Sequence, residues 1–185
     1  MTNVFLCSDH HIGHSNIVTF KRSDGVTPLR KFDNIHEHDE YIIYRHNLVV
    51  RPNDKVYFLG DVANAKSIHK IGRMHGDKVL IKGNHDVLKL SQYLPYFRDI
   101  RGCHQIDGMF LSHIPIHPDS LYRWKVNIHG HLHEKRVMLT NPVSNALISK
   151  YPDERYQNVS LEQLDDYAPI SLEDMKLRLK NLNLM

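Results

Sequence analysis

The chain has 185 residues, of which 41% are hydrophobic and 24% charged, and its formal net charge is +3. These values describe an ordinary globular chain, expected to fold as one domain over residues 1–185 with a sizeable core. They exclude three classes: two cysteines cannot build a disulfide framework, no apolar run is long enough to span a membrane, and no basic run or tail marks a nucleic-acid-binding surface. With no signal peptide ahead of the first strand, a reducing, cytoplasmic setting is expected.

Asn3 to Cys7 reads as a buried strand that ends in the polar loop Ser8-Asp9-His10-His11-Ile12-Gly13-His14. A loop from Thr19 to Phe32 carries Lys21, Arg22, Arg30 and Lys31 around Asp24-Gly25 and Pro28. A helix is predicted over Ile35 to Val49, because Asn34 with Glu37 three residues later is a start signal and Ile35, Ile42 and Val49 share a face. His36 to Glu40 are expected as exposed first-turn residues, since position 40 is Glu and the helical HExxH pattern is absent. Val56 to Leu59 is a second strand, closed by Gly60-Asp61. A short helix from Lys66 to Met74 leads to a third strand, Val79 to Ile81, which Gly83 breaks ahead of Asn84-His85-Asp86. A helical segment near Val87 to Tyr93 is stopped by Pro95. This alternation favours a parallel sheet.

The second half changes character. Ile100 to Ile106 and Met109 to Leu111 flank Asp107-Gly108, a hairpin signal, and the second of these strands ends in Ser112-His113. A loop through His117, Tyr122 and Trp124 precedes a strand at Val126 to Ile128, which ends in His129-Gly130-His131-Leu132-His133. Asn158 to Leu161 is one more strand candidate. A C-terminal helix starts at Ser171, with Asp174 completing a capping pattern and Leu172, Met175, Leu179 and Leu182 as its apolar face.

Histidine is the unusual component, with 15 copies. Nine fall in four short stretches: His10, His11 and His14; His85; His113 and His117; His129, His131 and His133. Such clustering points to a metal site. Each stretch follows an apolar strand, and so does Asp61. Five strand ends therefore offer Asp9 and His11; Asp61; Asn84 and His85; His113; His131 and His133. Borderline divalent cations favour this mix of imidazole and carboxylate. The set is too large for one tetrahedral ion and suits two ions roughly 3.5–4 Å apart that share a carboxylate, with Asp61, alone at its strand end, as the natural bridge.

In this order the residues resemble the calcineurin-like metallophosphoesterases, whose pattern is D-x-H, GD, GNH[DE], H and GHxH. Here it reads Asp9-His10-His11, Gly60-Asp61, Gly83-Asn84-His85-Asp86, His113 and Gly130-His131-Leu132-His133. The opening Asp-His-His-x-Gly-His, the Asn158-Val159-Ser160 stretch and the Pro169-Ile170-Ser171-Leu172 stretch are similar to the small single-domain phosphoesterases of bacteria and their phages. The resemblance implies an α/β fold, a four-layer α/β/β/α sandwich of two mixed sheets with metals at the strand ends. It implies that Asp9, His11 and His133 hold one divalent ion and that Asn84, His113 and His131 hold another, with Asp61 between them. Manganese, iron, zinc and nickel all suit. His117 is a rival for the His113 role, further from its strand end. By the same resemblance a hydroxide between the ions attacks phosphorus and His85 is the general acid for the leaving oxygen, oriented by Asp86 or Asp61.

His14 and Arg22 are candidates for gripping the substrate phosphate, whereas His10 is expected to point away and His129 to pack below the site. The expected substrate is a small phosphodiester or nucleotide. The chain lies near the lower size limit of the family and has no cap domain. Val62-Ala63-Asn64 stands where protein serine/threonine phosphatases continue D-R-G, and Asp86 stands where they usually have Glu. A charge of +3 gives no track for a long nucleic acid, so nucleic acid enters only as a substrate. The loop carrying Tyr122 and Trp124 is a candidate for stacking a base. The alternatives are a phosphomonoesterase, a phosphoprotein phosphatase, or a non-catalytic protein-binding scaffold, the last disfavoured because no ligand is missing.

Overall fold

The structure, a computed structural model, describes residues 2–144 and 147–185. In chain order the elements are β1 (Val4–Cys7), α1 (Ile35–Val49), β2 (Lys55–Phe58), β3 (Asp77–Ile81), α2 (Leu90–Tyr93), β4 (Asp99–Arg101), β5 (His104–Ile106) and β6 (Met109–Leu111). There follow β7 (Val126–His129), β8 (Met138–Ser144), β9 (Leu147–Pro152), β10 (Tyr156–Asn158), β11 (Ile170–Ser171) and α3 (Leu172–Asn181). The fold is α/β with mixed sheets. One sheet has the order β11-β1-β2-β3-β4, parallel except for β11. A second has the order β10-β7-β6-β5, parallel except for β5. A separate antiparallel pair joins β8 to β9.

The first sheet is buried on both faces, which is why β1, β2 and β3 read as near-continuous apolar runs. Phe5, Cys7, Phe58 and Leu80 pack against Ile42, Ile43 and Val50 from and just after α1. Leu6, Tyr57, Val79 and Ile81, on the opposite face, meet Met109, Leu111, Val126 and Ile128 of the second sheet, together with Leu172, Met175 and Leu179 of α3. At the carboxyl ends the two sheets are tied together: Ser8 bridges to Ser160, and the Leu161 amide donates to the Ser8 carbonyl at 3.2 Å. Among the described residues no helix is long and apolar enough to cross a membrane.

Three expectations are corrected. Helix α1 has the predicted bounds, and the Glu37 amide donates to the Asn34 side chain at 2.9 Å. Its buried face, however, is His38, Asp39, Ile42, Ile43 and His46, while Tyr44 and Leu48 face solvent. His38 and Asp39 are buried because Arg30, Lys70 and the Gly13 amide partner them. The strand predicted over Ile100 to Ile106 is two strands, β4 in the first sheet and β5 in the second, with Gly102 and Cys103 carrying the chain across. The Asp107-Gly108 turn itself has both residues at positive φ, 48° and 78°, as a tight hairpin requires. The last strand of the second sheet is β10, ahead of the predicted Asn158 to Leu161, and it leaves Ser160 free to reach Asp9. The β8–β9 pair went unpredicted, since Asn141-Pro142 argues against a strand.

Candidate metal centre

Five loops leave the carboxyl ends of β1, β2, β3, β6 and β7 at one edge of the molecule, the position where open α/β sheets place their ligands. The first loops hydrogen-bond along one another: the Asp9 amide donates to Gly60 O at 3.0 Å and the His11 amide to Asp61 O at 2.9 Å. Gly60, at φ +95°, is required twice over, since a Cβ there would lie 2.6 Å from His113 Nδ1 and 2.7 Å from the Gly83 backbone. Gly130 is required by space and not by a bend, because a Cβ would collide with Ser8 and Asp9. Asp9 (φ 60°), His11 (51°), Asp61 (55°), His131 (67°) and His133 (52°) all sit in the left-handed region. Each such residue costs about 1 kcal/mol or more, and such strain gathers at functional sites.

The turns aim the side chains into two groups. Asp9, His11 and His133 present ligand atoms within 4.8 Å of one another, and so do Asp61, His113 and His131. Asp61 joins the two: its Oδ2 lies 3.8 Å from His11 Nε2 and 3.4 Å from His113 Nε2. Asn84 belongs with the second group, its Oδ1 lying 2.8 Å from His113 Nε2 and 2.9 Å from His131 Nδ1. His113 Nδ1 donates to Leu59 O at 2.7 Å, which turns Nε2 toward the centre. Asp9 Oδ2 accepts from Ser160 Oγ and from the His131 amide, both at 2.9 Å, which leaves Oδ1 facing inward.

These residues fit a cation. Among the described residues Asp9 Oδ1 and His11 Nε2 are buried with no hydrogen-bond partner, and an unpaired buried polar atom costs about 1–3 kcal/mol. Burial pushes the Asp61 carboxyl up, but the hydrogen bond and charge of His113 outweigh it and hold Asp61 below the usual range. Burial pushes His113 down, yet Asp61 and Asp9 carry it above its ordinary value. Burial likewise lowers His133, and Glu162 more than reverses it. The carboxylates beside His113 and His133 thus favour positive charge at the centre, which a divalent cation would supply as well.

Of the other predicted residues, His85 has an exposed ring 5.5 Å from that of His11, and its amide donates to Asp61 Oδ1 at 2.8 Å. His14 stands 5.7 Å from His11 and 6.4 Å from His85, ring to ring. The three imidazoles line a pocket of about 200 Å³ together with Asp61, Asn64 and the apolar side chains of Ala63, Ala65, Val87 and Leu88. Asp86 does not reach the His85 ring. Its carboxylate accepts the amides of Asp61 and Gly83 at 2.8 Å and of Val62 at 3.0 Å, clamping the loops after β2 and β3. Arg22 lies against Glu134 at 3.8 Å. His117 is exposed and caps its own turn through the Asp119 amide, away from both groups. Trp124 packs on Phe110 with the rings tilted by 33° and their centroids 4.2 Å apart, while Tyr122 is exposed beneath Arg123. His10 is buried on Phe58 in the core beneath the site, and His129 is buried with Nδ1 donating to Gly130 O. Sequence reading assigns no site role to Arg30, Ser160 or Glu162: Arg30 is one of four basic residues of its loop, Ser160 is only part of the Asn158-Val159-Ser160 resemblance, and Glu162 has no local pattern to mark it.

No family model matches the chain. The Methanocaldococcus jannaschii protein described as uncharacterized protein MJ1445 is 33% identical over 183 residues, covering 94% of this chain and 89% of its own. The gene 66 protein of Mycobacterium phage L5 is 33% identical over 92 residues, 46% of this chain and 41% of that protein. Among solved structures, the protein of unknown function AQ665 from Aquifex aeolicus superposes with a TM-score of 0.68 at 23% identity, covering 96% of this chain and all of that one, and so shares its fold.

Proposed function

We propose, for a chain that belongs to the family of the Methanocaldococcus jannaschii protein MJ1445, a metal-dependent phosphoesterase activity on small phosphodiesters or nucleotides. The observation that carries this reading is the convergence of Asp9, His11, Asp61, Asn84, His113, His131 and His133 from five strand ends, with five of the seven in left-handed backbone. On this reading the fold is the four-layer α/β/β/α sandwich of the calcineurin-like metallophosphoesterases, in one domain. Asp9, His11 and His133 hold one divalent ion, Asn84, His113 and His131 hold the second, and Asp61 serves both. When bound, such a pair of ions lowers the pKa of a water and offsets negative charge on the phosphoryl oxygens.

The chain's own residues supply the rest. His85 stands at the mouth of the pocket with its backbone fixed to Asp61, so its ring is positioned to give a proton to the leaving oxygen. His14, across the same pocket, meets a phosphoryl oxygen or the leaving group. Ala63, Ala65, Val87 and Leu88 offer an apolar wall to a compact leaving group. With Trp124 committed to Phe110, no base-stacking role is assigned to that loop.

The test is hydrolysis of bis-p-nitrophenyl phosphate with added Mn²⁺, followed by a panel of nucleotides, cyclic nucleotides, short oligonucleotides and phosphopeptides. Turnover of diesters or nucleotides that vanishes in Asp61→Ala is the expected result. Turnover of phosphopeptides alone would overturn the substrate class, and turnover undiminished in Asp61→Ala would overturn the metal assignment.

A further inference from the structure

Arg30 is fully buried, although a guanidinium is among the groups least tolerant of burial. Four of its five N–H donors are used. Nε donates to Glu162 Oε1 at 2.8 Å, Nη1 donates to His10 O and to His38 Nε2, each at 2.8 Å, and Nη2 donates to Asp9 O. Arg30 therefore holds two successive carbonyls, those of Asp9 and His10, in the loop where Asp9 and His11 take up left-handed backbone. Because Arg30 donates to His38 Nε2, His38 must carry its proton on Nδ1, from which it donates to Asp39 Oδ1 at 2.9 Å. Asp39 in turn accepts the Gly13 amide at 3.0 Å and Lys70 Nζ at 2.7 Å. The loop is gripped at both ends by one buried polar chain.

The other end of that chain reaches a candidate ligand directly. His133 Nδ1 donates to Glu162 Oε1 at 3.0 Å, which fixes the tautomer and leaves Nε2 bare, 3.9 Å from Asp9 Oδ1. A carboxylate behind an imidazole raises its strength as a metal donor and fixes its ring plane. Among the described residues the second group has no such partner: His113 Nδ1 donates to a neutral carbonyl, that of Leu59, and His131 lies against the Asn84 amide.

Resting on the metal reading above, we infer that Arg30 and Glu162 are positioning residues for one half of the centre. They preorganise Asp9, His11 and His133, and they leave the half formed by Asn84, His113 and His131 untouched. Arg30 sets the loop and Glu162 sets the ring, and their mutual pairing is what allows both charges to be buried there.

The experiment is calorimetric titration of metal-free protein with Mn²⁺ in two backgrounds. Asn84→Ala leaves the Asp9 half as the intact one, and His11→Ala leaves the other. In the first background Glu162→Gln is expected to weaken Mn²⁺ binding by about 10- to 100-fold; in the second it leaves the remaining affinity unchanged. Glu162→Gln strands the Arg30 charge and endangers folding, so the double variant Arg30→Met with Glu162→Gln, which buries no charge, carries the same expectation. Unchanged affinity in both backgrounds overturns the inference, and so does equal weakening in both, which marks a general structural role. Wild-type protein that binds no Mn²⁺ overturns the metal reading itself and this inference with it.

Discussion

Holding a non-glycine residue near φ +60° costs about 1–2 kcal/mol, and the chain does so at Asp9, His11, Asp61, His131 and His133. Strain of this kind persists where the side chain is needed and the surroundings enforce the turn. His131 is the cleanest place to measure it, because its side chain is half-exposed and its amide keeps the bond to Asp9 after substitution. His131→Gly is expected to raise the stability of the metal-free protein by about 1 kcal/mol while abolishing Mn²⁺ binding in its half of the centre. Urea denaturation in the presence of a chelator reads the first effect, and a fall in stability there would show that the turn is unstrained. His85 invites a kinetic test. His85→Asn should retain metal and lose roughly 10²- to 10⁴-fold in rate on an alkyl ester, with a smaller loss on an aryl ester whose phenoxide leaves unaided. Equal losses on the two esters would remove His85 from the proton-donor role.

At the scale of the element, α1 buries the polar groups His38, Asp39 and His46 on the same face as Ile42 and Ile43. His46 is one of them: Nε2 donates to His75 O at 3.0 Å, and burial pushes the imidazole down to about 4. A folded value below the unfolded one means that the unfolded chain takes up the proton first as pH falls. The neutral ring's contribution is therefore complete above pH about 6.5 and is lost progressively toward pH 4, a change on the order of 3 kcal/mol. His46→Gln should flatten the stability curve over that window, measured by denaturant unfolding at stepped pH; parallel curves for the two proteins would exclude His46 as the source. The helix was legible in sequence because Asn34 caps it and its interior has no breaker. Its buried face was not, because His38, Asp39 and His46 are made acceptable there by Arg30, Lys70 and His75, and no local period reports such partners. The same divide runs through the site. Its strand-end residues could be named because apolar runs bounded by Gly60, Gly83 and Gly130 mark the strand ends. Glu162 could not, since Arg30, which it meets, is 132 positions away.

At the scale of the molecule, the candidate ligands come from both sheets. Asp9, His11, Asp61 and Asn84 follow β1, β2 and β3 of the first, while His113, His131 and His133 follow β6 and β7 of the second. Each proposed ion would therefore link the two sheets at the edge where Ser8 and Ser160 already join them. The unfolded chain scatters these ligands over residues 9 to 133 and cannot reproduce the site, so binding energy becomes folding energy. Free Mn²⁺ at about 100 times its dissociation constant should stabilise the protein by about 2.7 kcal/mol per site. For a chain of this size that corresponds to a rise in Tm of about 5–10 °C. Thermal unfolding with a chelator and then with added Mn²⁺ measures the shift. Asp61→Asn should abolish most of it, because both halves lose their shared carboxylate, whereas His85→Asn should preserve it. A shift that survives in Asp61→Asn would mean that the ion stabilises the fold from somewhere other than the meeting point of the two sheets.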